Sequence, residues 1–368
     1  MRPTKAVIDL AALRHNLERV KTIASDSKVM VVVKANAYGH GLVEVAKALP
    51  SADMFAVASL DEALILRQAG IRQDILLLEG FFQAKELPII QRNQLQLVLH
   101  HQAQIEQLAA YQTITSDPNP IKVWLKCDSG MYRLGFALEQ VAAAEKALSA
   151  LSIIEQPIKL MSHFACADSD QEFSQAQISK FAEATQDLVG QRSMANSAGI
   201  LTQPNAHWDW VRPGLLIYGA SPMLDSMASD FGLQPVMSLE SQLMAIKPIR
   251  QGQSVGYGRN WFAKTNGNIG LVAIGYGDGY PRHAKNGTPV WVNGRQVPLV
   301  GRVSMDILAV DLGADSADNI GDRVVLWGKE LSMETVATFA DTIPYTLCCG
   351  VTSRVPFEYI NADDSHHD

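Results

Sequence analysis

Residues 29–41 read VMVVVKANAYGHG, an apolar run that ends in Lys34 and continues into small residues and glycines. An uninterrupted apolar run is typical of a strand buried on both faces, as in a parallel sheet. Lys34 then lies where the strand leaves the sheet. Desolvation there would lower the pKa of its amine and favour the neutral form that attacks carbonyl groups. On position alone, a lysine whose ammonium group merely extends into water is the alternative.

The same unit recurs along the first 220 residues, where short apolar runs alternate with amphipathic stretches such as 42–49, 60–70, 84–93 and 173–188. The predicted strands are 29–35, 55–59, 74–80, 95–100, 121–128, 159–165, 192–197 and 210–219. About eight strand–helix units in ~220 residues favour a (β/α)₈ barrel of the TIM type. An open doubly wound sheet is the alternative, because periodicity alone does not reveal whether the sheet closes.

The pattern changes after residue 230, where strands at 239–249, 268–274, 289–300, 307–312 and 323–327 are separated by Gly, Pro and Asn-Gly turns. The segment VWVNGRQVPLV predicts a hairpin that turns at Asn293-Gly294. One helix is predicted, at 332–341. We therefore predict an α/β chain with a barrel at 1–230, a mostly β second domain at 231–368 and a linker around 221–232. Residues 1–10 could pair with the second domain.

Composition excludes several classes of protein. The formal net charge of −7 argues against a nucleic-acid partner, which usually requires a basic face. The four cysteines have no CxxC or Cys/His spacing, so no metal site is predicted. The chain begins without a secretory signal pattern, and no run of about 18 apolar residues predicts a membrane span. We expect a cytoplasmic protein without a membrane partner.

Polar side chains follow several of the predicted strands, in the segments 126–133, 163–165, 196–199 and 212–215. In a (β/α)₈ barrel the carboxyl ends of the strands meet on one face, where active sites lie. Ser197 and the small residues after it could offer a hydroxyl and N–H groups to an anion such as phosphate. Each segment alone could be an ordinary turn or helix cap, so it is their convergence that predicts a site.

Nine segments together resemble the alanine racemases: VVVKANAYGHG, KCDSGMYRLG, SHFACAD, ANSAG, VRPGLLIYG, VGYGRNW, IGYGDGYPR, GRVSMD and PYTLCCGVTSRVP. They occur in the family's order between residues 31 and 356. The resemblance implies pyridoxal 5'-phosphate as cofactor, a small amino acid as substrate, and a head-to-tail homodimer with shared active sites. It also implies interconversion of L-alanine and D-alanine, to supply peptidoglycan synthesis or alanine catabolism.

The resemblance assigns two catalytic residues. Lys34 would form the aldimine with the cofactor and remove the α-proton on one face of the substrate. Tyr257 of the partner subunit would act on the opposite face. A tyrosine has a pKa of about 10, so it needs a nearby cation to act as a base.

The remaining roles also follow from the resemblance. Arg212 would face the pyridine nitrogen and keep it unprotonated, in a hydrogen-bonded layer with His163; an ion pair with Asp209 or Asp311 is the alternative for Arg212. The phosphate would be bound by Tyr38, Ser197, Gly214, Leu215 and Tyr345, with Asn196 orienting a neighbour. Arg133 and Met305 would contact the substrate. Lys126 is either carbamylated or unmodified. The corridor through which the substrate enters would comprise Asp168, Tyr276, Arg282 and Arg302. Ser304 and Tyr132 depart from the commoner family residues, so substrate preference is the property they put in question.

Three other functions fit parts of this sequence. A fold-related pyridoxal-phosphate decarboxylase would carry a carboxylate near the ring nitrogen, whereas the resemblance places Arg212 there. A racemase of broader specificity is typically exported, and no signal pattern is present. A pyridoxal-phosphate carrier would resemble residues 1–230 only and would lack the second domain.

Overall fold

The computed structural model describes residues 2–362, so Met1 and the last six residues of the predicted second domain lie outside the described part. The first part contains, in chain order, β1 (Lys5–Asp9), α1 (Leu10–Ile23), β2 (Lys28–Val32), α2 (Lys34–Gly39), α3 (Leu42–Ala48), β3 (Met54–Val57), α4 (Leu60–Gln68), β4 (Asp74–Leu77), α5 (Leu87–Arg92), β5 (Leu95–Leu99), α6 (Gln102–Gln112), β6 (Val123–Asp128), β7 (Phe136–Ala137), α7 (Val141–Ser149), β8 (Lys159–Met161), α8 (Gln171–Thr185), β9 (Arg192–Ser193), α9 (Ser197–Thr202) and β10 (Trp210–Val211).

The parallel strands of this part close on themselves. The ring runs β2-β3-β4-β5-β6-β8-β9-β10, and β10 pairs with β2 to complete it. The predicted (β/α)₈ barrel is therefore confirmed, and the open sheet is excluded. Within the described residues, no helix is both long enough and apolar enough to cross a membrane.

Side chains fill the barrel interior, as close packing requires. The inner cluster comprises Met30, Val32, Met54, Ala56, Leu76, Val98, Trp124, Met161 and Trp210. Trp124 is fully buried and donates a hydrogen bond from Nε1 to Oε1 of Gln96 at 2.9 Å. At the amino end of the strands, the ammonium group of Lys159 lies 5.4 Å from the ring centroid of Trp124. The barrel interior is thus a packed core toward the amino ends of the strands, and polar groups gather at the rim formed by their carboxyl ends.

The second part is a mostly antiparallel sheet with two short helices. Its elements are β11 (Met237–Ile249), β12 (Gly267–Val272), β13 (Pro289–Val292), β14 (Arg295–Pro298), β15 (Leu308–Gly313), β16 (Arg323–Trp327), α10 (Met333–Phe339), α11 (Pro344–Cys349) and β17 (Phe357–Ile360). The strand order is β14-β13-β16-β11-β1-β17, with β12 between β11 and β15. The first strand, β1, pairs antiparallel to β11 and parallel to β17. The first and the last strands of the described chain therefore meet in this sheet.

The hairpin predicted around Asn293-Gly294 is confirmed, since β13 and β14 pair across it and both turn residues have positive φ. The single predicted helix at 332–341 is present as α10, but the prediction of only one helix was wrong. The short helix α11 follows it and begins with Pro344 in the first turn, a favourable position for proline.

Most predicted strands of the barrel were too long at their carboxyl ends, and three of them by the widest margins. The segments 159–165, 192–197 and 210–219 leave the sheet after Met161, Ser193 and Val211. Residues 214–219 instead form successive turns, with the N–H of Ile217 bonded to the carbonyl of Gly214. A short buried apolar run has the same periodicity whether it is a strand or a turn, which is why the pattern misled here.

Gly219 lies at the end of the barrel and packs closely against the backbone of the segment that leads to the second part of the chain. Its φ is +71°, and a Cβ there would overlap the backbone carbonyl oxygen of Gln234. Gly70 also has positive φ, +84°, but has open space around it. Gly219→Ala should lower the free energy of unfolding by more than about 3 kcal/mol, because backbone must move. Gly70→Ala should cost only the left-handed strain, about 1–2 kcal/mol. Urea unfolding at equal protein concentration measures both, and equal losses would contradict the overlap.

Candidate active site

A cavity of about 510 Å³ opens at the carboxyl rim of the barrel. Most of the predicted site residues of the barrel line it, together with Tyr345 from α11. They are Lys34, Tyr38, Lys126, Arg133, His163, Asn196, Ser197, Arg212, Gly214 and Tyr345. These residues are up to about 310 positions apart in sequence, so the closed barrel and the packing of α11 on its rim bring them together.

The backbone after Lys34 adopts an unusual conformation. Ala35, Asn36, Ala37 and Tyr38 all have φ between 51° and 54°, which makes α2 a left-handed turn. Non-glycine residues lose about 1–2 kcal/mol each in this conformation, so neighbouring contacts must hold it. The N–H of Ala35 donates to Oε1 of Glu62 at 2.7 Å, and Oδ1 of Asn36 accepts from the N–H of Leu42 at 2.9 Å. The predicted strand 29–35 therefore ends at Val32, and Lys34 begins the turn.

The same turn is packed by a helix from the second part of the chain. Gly39 follows Tyr38, and a Cβ at Gly39 would overlap the carbonyl oxygen of Cys348 in α11. Only glycine allows this approach of two backbones. The position of Lys34 and Tyr38 thus depends on a contact with residues that lie about 310 positions later.

Arg212 is buried beneath the cavity, and the hydrogen-bond acceptors around it are neutral groups rather than carboxylates. Its guanidinium donates to Oγ of Ser193 and the carbonyl of Ser162, both at 2.6 Å, and to Nδ1 of His163 at 3.0 Å. Burial, and after it the charge of Arg133, lowers the pKa of Arg212 to about 9. The alternative of an ion pair is not observed within the described residues: Asp209 instead accepts from the N–H of Arg192, and Asp311 from that of Gly313.

His163 is neutral in this arrangement. Burial and the nearby charge of Arg212 hold the pKa of the imidazole well below its usual range. Because Arg212 can only donate, Nδ1 of His163 accepts and the ring proton is on Nε2. A neutral imidazole with a fixed tautomer therefore adjoins the cavity.

The cavity carries an excess of positive charge. Lys126 is buried at the end of β6, and burial together with the charges of Arg212, Arg133 and Lys34 lowers its pKa to about 7. Glu79 is the one carboxylate among the described residues that line the cavity. A cavity with this balance favours an anionic ligand.

Hydroxyl groups and a close-packed glycine form one end of the cavity. A Cβ at Gly214 would come within 2.5 Å of the hydroxyl of Tyr38, so the two are in direct contact. Oγ of Ser197 accepts from the N–H of Gly214 at 2.9 Å. The ring of Tyr38 stacks on Tyr218, with centroids 4.9 Å apart, and lies 5.8 Å from that of Tyr345. The hydroxyl groups of Tyr38 and Ser197 are neutral donors that suit a phosphate ester.

Two predicted phosphate-site residues contribute differently. Asn196 is the N-cap of α9, and its Oδ1 accepts from the N–H of Gly199 at 2.9 Å. Leu215 is fully buried and does not line the cavity.

A second group of predicted residues does not line this cavity. Tyr257, Met305, Tyr276, Arg282 and Arg302 lie together in the second part of the chain. Tyr257 is 69% exposed and lies between two glycines with positive φ, and the guanidinium of Arg302 lies 3.4 Å from the position that a Cβ would take at Gly258.

Hydrogen bonds join the other members of this second group. The N–H of Tyr276 donates to the carbonyl of Ser304 at 3.0 Å, and that of Gly277 to the carbonyl of Met305 at 2.9 Å. The guanidinium of Arg282 lies over the ring of Tyr276. Asp168 lies apart from them, in a cavity of about 220 Å³ that shares Tyr345 with the rim cavity. Tyr132, beside Arg133, is 92% exposed.

Sequence reasoning missed several residues of the site. Glu79 follows β4 and is a charged residue inside the predicted strand 74–80, a signal that could have found it. Tyr218 lies inside the predicted strand 210–219 and stacks on Tyr38, and nothing in its sequence pattern separates it from a core tyrosine. Ile343, next to α11, lines the cavity only because the second domain packs against the rim.

Comparisons with known proteins cover the whole architecture. The family models for the alanine racemase N-terminal and C-terminal domains match residues 8–222 and 236–359. An alanine racemase of Vibrio parahaemolyticus is 50% identical over 360 residues, 98% of this chain and 99% of that protein.

Solved structures agree with these matches. The biosynthetic alanine racemase from Pseudomonas aeruginosa is 46% identical with a TM-score of 0.93, over 98% of this chain and 99% of that chain. The alanine racemase from Bacillus anthracis with bound L-Ala-P is 32% identical with a TM-score of 0.85, over 98% of this chain and 95% of that one. This chain therefore belongs to the alanine racemase family, isomerases that use pyridoxal phosphate.

Proposed function

We propose that this chain interconverts L-alanine and D-alanine, with pyridoxal phosphate bound in the rim cavity through Lys34. The observation that carries the proposal is the convergence of Lys34, Arg212 and the hydroxyls of Tyr38 and Ser197 on one cationic cavity. The residues present fit the cofactor, because an amine, neutral phosphate donors and a buried cation for the ring are all available there. When bound, the pyridoxal ring accepts electron density from the substrate's Cα–H bond and so makes that proton removable.

Arg212 limits how far this electron withdrawal goes. Next to the ring nitrogen of a bound cofactor, its guanidinium would donate a hydrogen bond to that nitrogen and would not readily give up a proton, so the nitrogen would stay unprotonated. His163 holds the guanidinium from the side through Nδ1 at 3.0 Å. The expected consequence is weaker electron withdrawal by the ring and therefore few side reactions.

Two bases are needed on opposite faces of the substrate, because a racemase must return the proton to the face opposite the one it left. Lys34 at the barrel rim serves one face. Tyr257 is strongly exposed in this chain and lies outside the cavity, which supports its use by the partner subunit in a head-to-tail homodimer. The division near residue 230 into a cofactor-binding barrel and a tyrosine-bearing β domain belongs to the same proposal.

The remaining predicted residues keep their proposed roles. Arg133 has a planar fork that suits the substrate carboxylate. Met305 would contact the substrate from the partner, with Tyr276, Arg282 and Arg302 forming the substrate corridor together with Asp168. Ser304 and Tyr132 bear on amino-acid preference.

The alternatives lose support on specific grounds. The relatives matched over the full length are alanine racemases, and the C-terminal family model covers residues 236–359, which a barrel-only carrier would lack. Arg212 makes its hydrogen bonds to a hydroxyl, carbonyls and an imidazole, unlike the carboxylate arrangement expected of the related decarboxylases.

Lys126 is the best placed residue for carbamylation. With a pKa of about 7 its amine is largely neutral at slightly alkaline pH, and only a neutral amine adds CO₂. The carbamate would bring an anion to Arg133 and reduce the excess of positive charge.

The first prediction from this proposal concerns Lys34. The purified protein should be yellow with pyridoxal phosphate, and borohydride should fix the cofactor covalently on Lys34, located by peptide mass analysis. Lys34→Ala should abolish both. Lys28→Ala, at the opposite end of the same strand β2, is the control and should keep them. A colourless wild-type protein would disprove the cofactor assignment.

The second prediction concerns Tyr257. Tyr257→Phe keeps the ring but removes the proton carrier, so exchange of the α-proton in D₂O should fall sharply for one enantiomer and much less for the other. NMR of each enantiomer separately measures this. Mild and equal losses for both enantiomers would refute the two-base assignment.

Subunit mixing tests whether the site is shared. In a hybrid of Lys34→Ala and Tyr257→Phe subunits, one site would combine both intact residues. Random exchange between the two inactive variants should recover about a quarter of wild-type activity. If no activity returns although hybrids form, the two residues act within one subunit.

The third prediction concerns Lys126. With ¹³C-labelled bicarbonate, a carbamate resonance should appear and grow as the pH is raised through about 7, because the amine loses its proton above its lowered pKa. Lys126→Gln should remove the resonance. Lys159→Gln, at the other end of the barrel, should leave it unchanged. A resonance absent from the wild-type protein would mean that Lys126 is unmodified.

A further inference from the structure

His40 is a fully buried histidine in the segment 31–41 and has no role in the proposed reaction. It directly follows Gly39, at the end of the left-handed turn that carries Lys34 and Tyr38. A buried polar ring in this position requires a physical reason, because burial of an imidazole costs free energy unless its nitrogens are bonded.

One nitrogen of His40 is bonded to the turn itself. Nδ1 lies 2.9 Å from the carbonyl oxygen of Tyr38 and 3.1 Å from that of Ala37. Carbonyl oxygens only accept, so Nδ1 carries the proton and donates to both. Nε2 is buried and has no partner within the described residues. Burial lowers the pKa of the ring to about 4, so His40 is neutral at physiological pH.

The ring of His40 also belongs to an aromatic stack that leads to the cavity. Its centroid lies 4.6 Å from that of Tyr218, which in turn stacks on Tyr38 at 4.9 Å. The hydroxyl of Tyr218 donates to the carbonyl of Val32 at 2.9 Å and so fixes the stack to the end of β2. The order is therefore His40, Tyr218, Tyr38, with the hydroxyl of Tyr38 against Gly214 in the cavity.

Both neighbours of His40 are glycines pressed against other parts of the chain. A Cβ at Gly39 would overlap the carbonyl of Cys348, and a Cβ at Gly41 would overlap the hydroxyl of Tyr359. Tyr359 in turn donates from this hydroxyl to the carbonyl of His40 at 3.2 Å. The imidazole thus has little freedom to turn away from Tyr38.

We infer that His40 is a positioning residue for phosphate recognition: its Nδ1–H and ring hold the left-handed turn and the Tyr38 phenol in the geometry that binds the cofactor's phosphate. The inference rests on the proposed binding of pyridoxal phosphate. Four left-handed residues are unfavourable on their own, so loss of the two hydrogen bonds should let the turn relax. The hydroxyl of Tyr38 would then move away from Gly214, whereas Lys34 would still be able to reach an aldehyde.

The test compares two ligands on the full-length protein after removal of the cofactor. Pyridoxal phosphate and pyridoxal both bond to Lys34, but only the first needs the phosphate contacts. Their dissociation constants are obtained from the visible absorption band of the bound form, with thermal unfolding as a control for folding. Failure of the wild-type protein to bind pyridoxal phosphate would refute the proposed function itself, independently of His40.

Three variants separate the parts of the inference. His40→Phe keeps a ring for the stack but removes the donor. It should raise the dissociation constant of pyridoxal phosphate about fivefold, which corresponds to the loss of one hydrogen bond. The dissociation constant of pyridoxal should change by less than about twofold. The side-chain amide of asparagine lies near the position of Nδ1, and that of glutamine near Nε2, so His40→Asn should retain more phosphate selectivity than His40→Gln. His15→Phe, at an exposed histidine, should change neither constant.

Two outcomes would overturn the inference. The first is a His40→Phe variant that does not discriminate between the ligands. Either it weakens the binding of both ligands equally, which would indicate a general structural loss, or it weakens the binding of neither. The other is equal selectivity in the Asn and Gln variants, which decides the question even if the Phe variant does not fold.

Discussion

The guanidinium of Arg212 lies buried against a hydroxyl, two carbonyls and an imidazole, and among the described residues no carboxylate pairs with it. Burying an unpaired cation is unfavourable, and Lys126, Arg133 and Lys34 increase the positive charge at the same rim. The barrel tolerates this because its strand ends supply carbonyl dipoles, and because the cavity above is open to an anion. The electrostatics of the site thus favour a bound phosphate ester and a carboxylate substrate, and they keep His163 neutral.

A second constraint acts on the backbone. The left-handed turn at 35–38 separates Lys34 from Tyr38, and both side chains line the rim cavity. Glu62, Asn36, His40 and the contact of Gly39 with α11 together offset its strain. Since α11 comes from the second part of the chain, the geometry of the lysine depends on how that part packs on the barrel rim.

The candidate residues form two groups, and this separation has a physical consequence. The barrel group encloses a cavity, whereas the group around Tyr257 presents aromatic and cationic side chains to solvent. Large exposed aromatic groups beside arginines are typical of surfaces that contact another chain.

The sequence by itself determined the repeated strand–helix units, the Asn293-Gly294 hairpin and the position of Lys34 at a strand end, because burial and periodicity are local properties, whereas closure of the barrel was decided by the pairing of β10 with β2. The family resemblance added Tyr257, which no local pattern distinguishes from a turn tyrosine. Only the tertiary structure decided the left-handed backbone at 35–38, the early ends of β8, β9 and β10, the partners of Arg212 and the placement of His40 behind Tyr38. Each of these depends on contacts between residues that are distant in sequence, such as Gly39 with Cys348 and Arg212 with Ser162, and a pattern read along the chain carries no information about such distances.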